Sequence, residues 1–347
     1  MITILQGIPD KSFSSTIPDL QFAISGDSAV VTISVDDAEI YNEKLFPADG
    51  VITLHDLSAL VSPYARQSLV INMIIRISEY VADTLAQAIS GSYDIIYCGA
   101  DIDIDAGTFC SNYFLSILMG TKETAVGRLE YLHYVGTDKA DCRAVYSDGT
   151  TEIFDVVAVG GNDKYTTIDV SPQRFLRSDG EEPDYYTISA GKRMQTFELN
   201  HERPDCAPTL LFVNSFGCDE LLYCTGVHKV APTYKRSSSY IAGRLRNYDI
   251  EETRTFKADT GVLNTAMANW LDDVLRSDFV CVVNFVEGNP NVGREVVITD
   301  SKSEYSNAYD ELPRFTFSYQ YSQRNHNVLN MGRAGRVFDN TFDRTFN

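Results

Sequence analysis

Apolar and polar residues alternate with a period of two through much of the first part of the chain, the pattern of strands with one buried face. Residues 29–35 alternate, Asp36-Asp37 turns the chain, 40–46 is a second run, 47–50 a second turn and 51–54 a third strand. Residues 55–61 then predict one or two helical turns, stopped near Pro63 because proline lacks the amide proton a helix needs. Runs at 69–77 and 93–98 complete the set. Residues 79–90 are ambiguous, since Val81, Leu85 and Ile89 also fit one face of a helix. Short runs this closely spaced predict a β-sandwich.

The same plan recurs. Residues 141–146 form a run, 147–149 a turn, 151–159 a run, 160–164 a turn, 165–170 a run, and 171–176 a helical corner with Pro172 in its first turn. That order of elements matches 29–61 and predicts a second module of one design, although few residues are identical. Runs at 185–189 and 193–199 and a hairpin at 209–226 are expected to close it. In the hairpin, apolar runs 210–213 and 221–224 flank 214–220, where Gly217 can take positive φ and Asn214 and Asp219 can bond nearby backbone. Phe216 at its tip is predicted to pack across the boundary between the second and third regions.

In the third region, Met267, Trp270 or Leu271, Val274 and Leu275 recur at helical spacing within 264–276. An apolar strand follows at 279–286, another at 295–300, and a last at 313–321 with Phe315, Phe317, Tyr319 and Tyr321 on one face. The expected fold is mainly β: tandem β-sandwich modules, then a β-rich (α+β) domain with one amphipathic helix, then an extended C-terminal tail. The expected boundaries are 1–99 for the first sandwich, 100–125 for a linker or packing insert and 126–226 for the second sandwich. The domain with helix 264–276 then takes 227–322, and the tail 323–347.

Composition narrows the function. A formal net charge of −19 over 347 residues repels phosphate backbones, so nucleic acid is not expected as a partner. Seven cysteines, odd in number and without CxxC spacing, argue against a disulfide framework or a zinc ribbon. No apolar run approaches a membrane span of about 20 residues. The N-terminus has no basic stretch before an apolar core, so no Sec-type signal is expected and synthesis in the host cytoplasm is.

Candidate chemistry is sparse. The five histidines are scattered, and there is no HExxH, GxSxG, P-loop or GxGxxG pattern, so no cofactor and no catalytic residue is expected. Asp101, Asp103 and Asp105 resemble the start of an EF-hand loop, but Ala106 stands where that loop needs glycine and Asn112 where it needs glutamate. A strand with the carboxylates on one exposed face is preferred. Cys218 with His201 or His228 has no supporting spacing as a nucleophile pair. Two carboxylates brought together by the fold could still make a glycosidase. The clear basic cluster apart from the tail holds Lys235, Arg236, Arg244 and Arg246, interleaved with Tyr234, Tyr240 and Tyr248. Acids follow at Asp249, Glu251 and Glu252, which favours a solvated strand pair or a contact with a neighbour's acidic face over nucleic acid. The tail repeats Phe338, Phe342 and Phe346 at a spacing of four, an adhesive set expected to dock on its own body or another subunit.

The runs 210–226, 249–261, 270–277 and 297–303, with the ending Phe-Asp-Asn-Thr-Phe-Asp-Arg-Thr-Phe-Asn, resemble structural proteins of phages and prophages of Bacteroidetes-type bacteria. The resemblance covers mainly 205–347. It implies a virion component at the tail tip or baseplate, acting as a homo-oligomer with other virion proteins, and carries over no catalytic residue. The alternative is a surface module that binds host polysaccharide through exposed tyrosines.

Overall fold

The computed structural model describes residues 1–286, 289–302 and 312–323, which form five sheets and three α-helices. The first module contains β1 (Thr3–Gln6), β2 (Lys11–Phe13), β3 (Leu20–Ala23), β4 (Ser28–Val35), β5 (Ala38–Leu45) and β6 (Val51–Leu54). Helix α1 (Leu57–Ser68), β7 (Val70–Val81) and β8 (Thr84–Ile96) complete it. One sheet runs β1-β3-β6 and the other β2-β8-β7-β4-β5. Their inward residues, Leu20, Phe22 and Ile52 against Val31, Ile33, Met73 and Ile75, share one core.

The ambiguity at residues 79–90 resolves as the tip of the β7–β8 hairpin, turning at Ala82-Asp83. One expectation fails here: helix α1 runs through Pro63. Val61 and Ala65, both fully buried, fix the face on either side of the proline, and that packing outweighs the lost amide.

The second module follows the insert helix α2 (Ala106–Asn112). It contains β9 (Lys122–Thr124), β10 (Tyr131–Val135), β11 (Ala140–Tyr146), β12 (Thr151–Val156), β13 (Ala158–Gly161), β14 (Tyr165–Asp169), β15 (Pro183–Ala190) and β16 (Arg193–Leu199). Its sheets run β10-β14-β13 and β12-β11-β15-β16-β9. Read from the other edge, β9-β16-β15-β11-β12 repeats β2-β8-β7-β4-β5 strand for strand, including a parallel edge pair in each. Helix α1 and the short 3-10 helix Pro172–Phe175 occupy matching corners. The chain therefore carries tandem sandwiches of one immunoglobulin-like plan. The insert is no free linker, because β9 is the edge strand of the second module.

The third domain is a single seven-stranded sheet, β18-β17-β21-β22-β23-β20-β19, built from β17 (Thr209–Val213), β18 (Asp219–Tyr223), β19 (Lys229–Ile241), β20 (Arg244–Val262), β21 (Val280–Val286), β22 (Asn289–Lys302) and β23 (Arg314–Tyr321). Helix α3 (Thr265–Arg276) packs Met267, Trp270, Leu271 and Val274 into its core, and Asn264 caps it by accepting from the Met267 amide at 2.8 Å. The strand β23 buries Phe315, Phe317, Tyr319 and Tyr321 as expected. The hairpin β17–β18, however, does not close the second sandwich. The strand β17 pairs with β21, Leu210 opposite Val282 and Leu211 opposite Cys281, so the third domain begins at about residue 209 and not at 227. The strand β17 lies inside the sheet and β18 at its edge, and the apolar runs of both are buried or half-buried on both faces.

Candidate interaction surface

The strand β20 has two neighbours for only part of its length. From Phe256, opposite Tyr319, it pairs with β23. Before that, among the described residues, it pairs with β19 alone, from Thr255 opposite Ala231 out to Arg244 opposite Ile241. Eleven residues of extended ribbon, 231–241, at 3.3–3.4 Å each make an arm roughly 35 Å long. The turn is Ala242-Gly243 at φ 51° and 74°, a two-residue reversal whose twist matches that of the ribbon. At the base, Phe256, Tyr319 and His228 pack as three nearly parallel rings, Phe256 4.9 Å from Tyr319 and His228 5.9 Å from each, and His228 Nε2 lies 2.9 Å from the Tyr319 hydroxyl. The root of the arm is packed, and toward the tip most side chains are exposed.

The register sorts the arm's side chains. Ser237 opposes Asp249 and Ser238 opposes Asn247, so Tyr248 is an extra, bulged residue. On one face lie Tyr234, Arg236 and Tyr240 from β19 with Leu245 and Ile250 from β20. On the other lie Lys235 and Ile241 with Arg244, Arg246, Asp249 and Glu251. The five arm residues singled out by sequence are thus divided, Tyr234, Arg236 and Tyr240 on an aromatic face and Arg244 and Arg246 on a charged one. Arg236 covers the Tyr234 ring at 5.0 Å. Tyr240 is 77% exposed, Tyr248 67% and Leu245 61%. Sequence reading did not single out Leu245 and Ile250, because their partners become visible only through the register.

Phe216 sits elsewhere. It is fully buried, stacked on Phe109 at 5.0 Å and 6.0 Å from Phe13, in a core that also takes Val70 and Ile96 from the first module and Val135 from the second. It therefore joins three parts of the chain where the sequence predicted a contact between two. Its turn is fixed by Asn214, whose Oδ1 accepts from the amides of Phe216 and Cys218, both at 2.9 Å. Asn214 Nδ2 donates to Leu115 O at 2.8 Å and to Glu220 Oε1 at 2.5 Å. Trp270 Nε1 donates to Glu220 Oε2 at 2.6 Å. Burial pushes the Glu220 carboxyl above its ordinary range. Gly217 takes φ 76°, and a Cβ there would meet Leu69 and Tyr97 at 2.9 Å.

The remaining candidates separate. Residues 101–105 are not a strand: Ile102 packs inward, Ile104 is exposed, and Asp105 caps α2 by accepting from the Thr108 amide at 2.8 Å. Among the described residues no group of three His, Cys, Asp or Glu side chains is placed to hold a metal ion. Cys218 is buried and desolvation raises its thiol well above the ordinary value, the reverse of what a thiolate nucleophile needs. His133, in β10, meets Thr167 Oγ1 at 2.9 Å and Asp219 O at 3.1 Å, and burial lowers its pKa to about 4. No described helix is long and apolar enough to cross a membrane. Phe338, Phe342 and Phe346 lie outside the described residues.

No family model matches the chain, and no curated protein does. Among solved structures, it is similar to a tandem pair of titin Ig domains at 11% identity, covering 58% of this chain and 97% of that one, with a TM-score of 0.22. A three-domain titin Ig structure, an E-to-A mutated variant, shares 8% identity over 92% of this chain and 87% of that one, TM-score 0.18. The Bacteroides ovatus SGBP-B of a mixed-linkage glucan utilization locus, in complex with a mixed-linkage heptasaccharide, shares 11% over 87% and 72%, TM-score 0.16. Scores this low carry neither a fold nor a functional argument; the sandwich assignment rests on the strand order above.

Proposed function

We propose that this chain is a non-enzymatic structural subunit that assembles with copies of itself by laying the β19–β20 arm on the acidic surface of a neighbouring copy. One observation carries the reading: among the described residues, β19 and β20 pair only with each other outward from Ala231 and Thr255, and most of their side chains toward the tip are exposed. Isolated two-stranded hairpins are at best marginally stable in water, and exposed aromatic and aliphatic residues on such a ribbon invite a partner. Charge favours a second copy as that partner. Residues 232–254 hold five cations, Lys235, Arg236, Arg244, Arg246 and Arg254, against three carboxylates, Asp249, Glu251 and Glu252, whereas the whole chain carries −19. An arm that meets a different surface on the next copy makes a heterologous contact, which closes into a ring where the rotation allows. The phage resemblance gives this assembly its setting, a tail tip or baseplate in the virion alongside other virion proteins.

Sedimentation velocity of the full chain tests the assembly. The wild type should form an oligomer that loosens as salt rises, and the double variant Arg244→Glu, Arg246→Glu should shift to the monomer. An equal oligomer in the variant contradicts the reading. Labelling the protein in a particle image tests the setting. Tyr240 and Tyr248, exposed on the same ribbon, favour a second reading in which the arm stacks on host polysaccharide. Binding on a glycan array that is lost in Tyr240→Ser would support it, and silence across the array would count against it.

A further inference from the structure

Between the second sandwich and the third domain lies a cleft of about 510 Å3, walled by residues 125–128, the loop 203–207, and Tyr223, His228 and Phe285. Arg128 lines it and is only 8% exposed. Its position is fixed by backbone on both sides. The Arg128 amide donates to Ala125 O at 3.1 Å. The Tyr223 hydroxyl accepts from the Leu129 amide at 2.7 Å and donates to Leu129 O at 3.0 Å. The guanidinium lies over the Tyr223 ring at 5.1 Å. Its Nη2 is buried with no hydrogen-bond partner among the described residues.

No described carboxylate forms an ion pair with this guanidinium. Glu130, two residues on, is committed to Lys122 at 2.7 Å and Thr124 at 3.0 Å. Asp205 lines the same cleft from an exposed loop and makes no ion pair with Arg128. Buried charges are normally paired, because an uncompensated one is costly. A planar guanidinium fork matches the two oxygens of a carboxylate or phosphate. The volume falls within the range of small-molecule sites.

We infer that this cleft binds a small oxyanion, a carboxylate or a phosphate, whose charged group pairs with Nη2 of Arg128 and whose ring or apolar body lies against Tyr223 and Phe285. Arg203 on the rim, itself paired with Glu182, adds a second positive charge at the mouth. The proposal does not rest on the assembly proposed above; His228, at the root of the arm, is the residue the two places share.

Thermal unfolding of the full chain tests it at constant ionic strength, with galacturonate, inorganic phosphate and uncharged galactose as probes. At least one anion should raise the midpoint in a dose-dependent way, and galactose should not. Whichever anion acts identifies the ligand chemistry. In Arg128→Met the rise should vanish, and calorimetry should find binding at least tenfold weaker. Without ligand this variant should be no less stable than wild type, because it removes an unpaired buried charge. Should it fail to fold, Arg128→Lys replaces it, keeping the charge and losing the fork, and reduced affinity is expected. The proposal is overturned if neither anion shifts the wild type, or if the variant that folds responds as wild type does.

Discussion

The hairpin β17–β18 ends in a turn whose Phe216 is fully buried, whereas β19–β20, in the same sheet, ends in a turn where a side chain at Gly243 would meet no atom within 4 Å. Both turns use a glycine at nearly the same positive φ, 76° at Gly217 and 74° at Gly243. The loops themselves differ, residues 214–218 at the first tip and the two-residue Ala242-Gly243 at the second, where both residues take positive φ. The larger difference is the long-range partner. The first tip reaches two other modules and closes a shared core; the second reaches past its own sheet to nothing in the described chain. One hairpin is a joint within the subunit, and the other is offered outward.

Substitutions at paired positions should pull the two tips apart. Phe216→Ala should cost the most, about 3–5 kcal/mol in chemical denaturation, because it empties a site walled by Phe13 and Phe109. Gly217→Ala should follow. It combines the left-handed backbone penalty of about 1–2 kcal/mol with overpacking of about 1–3 kcal/mol against Leu69 and Tyr97. Gly243→Ala carries only the backbone penalty, about 1–2 kcal/mol, felt within the arm and leaving the global midpoint in place. Equal effects of the two glycine variants on global stability would erase the contrast.

Acid should act on the inner joint. His133 faces Asp219 O on β18, and its pKa of about 4 lies below the roughly 6.5 of an unfolded histidine. The unfolded chain therefore takes up the proton first, so this contribution is complete above about pH 6.5 and fades as pH falls toward 4. The raised carboxyls of Glu220 and Asp273 act in the opposite sense, gaining as pH falls. The difference between wild type and His133→Gln isolates the histidine, and the variant should show a flatter acid limb. Smallest of all, Tyr240→Ser should move global stability by less than about 0.5 kcal/mol while weakening assembly in sedimentation. A large loss of stability would mean that the arm packs on its own subunit.

Much of this was legible before the structure. The alternation at 29–35 and its echo at 141–146 led to two modules of one plan, and the strand orders agree. The helical spacing of Met267, Trp270 and Val274 gave α3 nearly residue for residue. The failures share one cause. Alternating or doubly apolar runs declare that a strand is buried but not which sheet buries it, so β17–β18 was placed in the second sandwich. Local chemistry makes Pro63 a stop, and the buried neighbours Val61 and Ala65 override it. The basic and tyrosine-rich cluster was visible as composition, but its division into two faces needed the bulge at Tyr248. Arg128 gave no signal at all, since a lone arginine in sequence does not reveal that no described carboxylate pairs with it.

Hydrogen exchange of the amides in residues 232–250, followed from dilute to concentrated protein, tests the central claim most directly. If the arm is ordered by a neighbouring copy, these amides should exchange rapidly at the lowest concentrations and become protected as the oligomer forms, while those of 209–223 stay protected throughout. Protection of the arm that does not change with concentration would contradict the account, because the ribbon would then be held by its own chain.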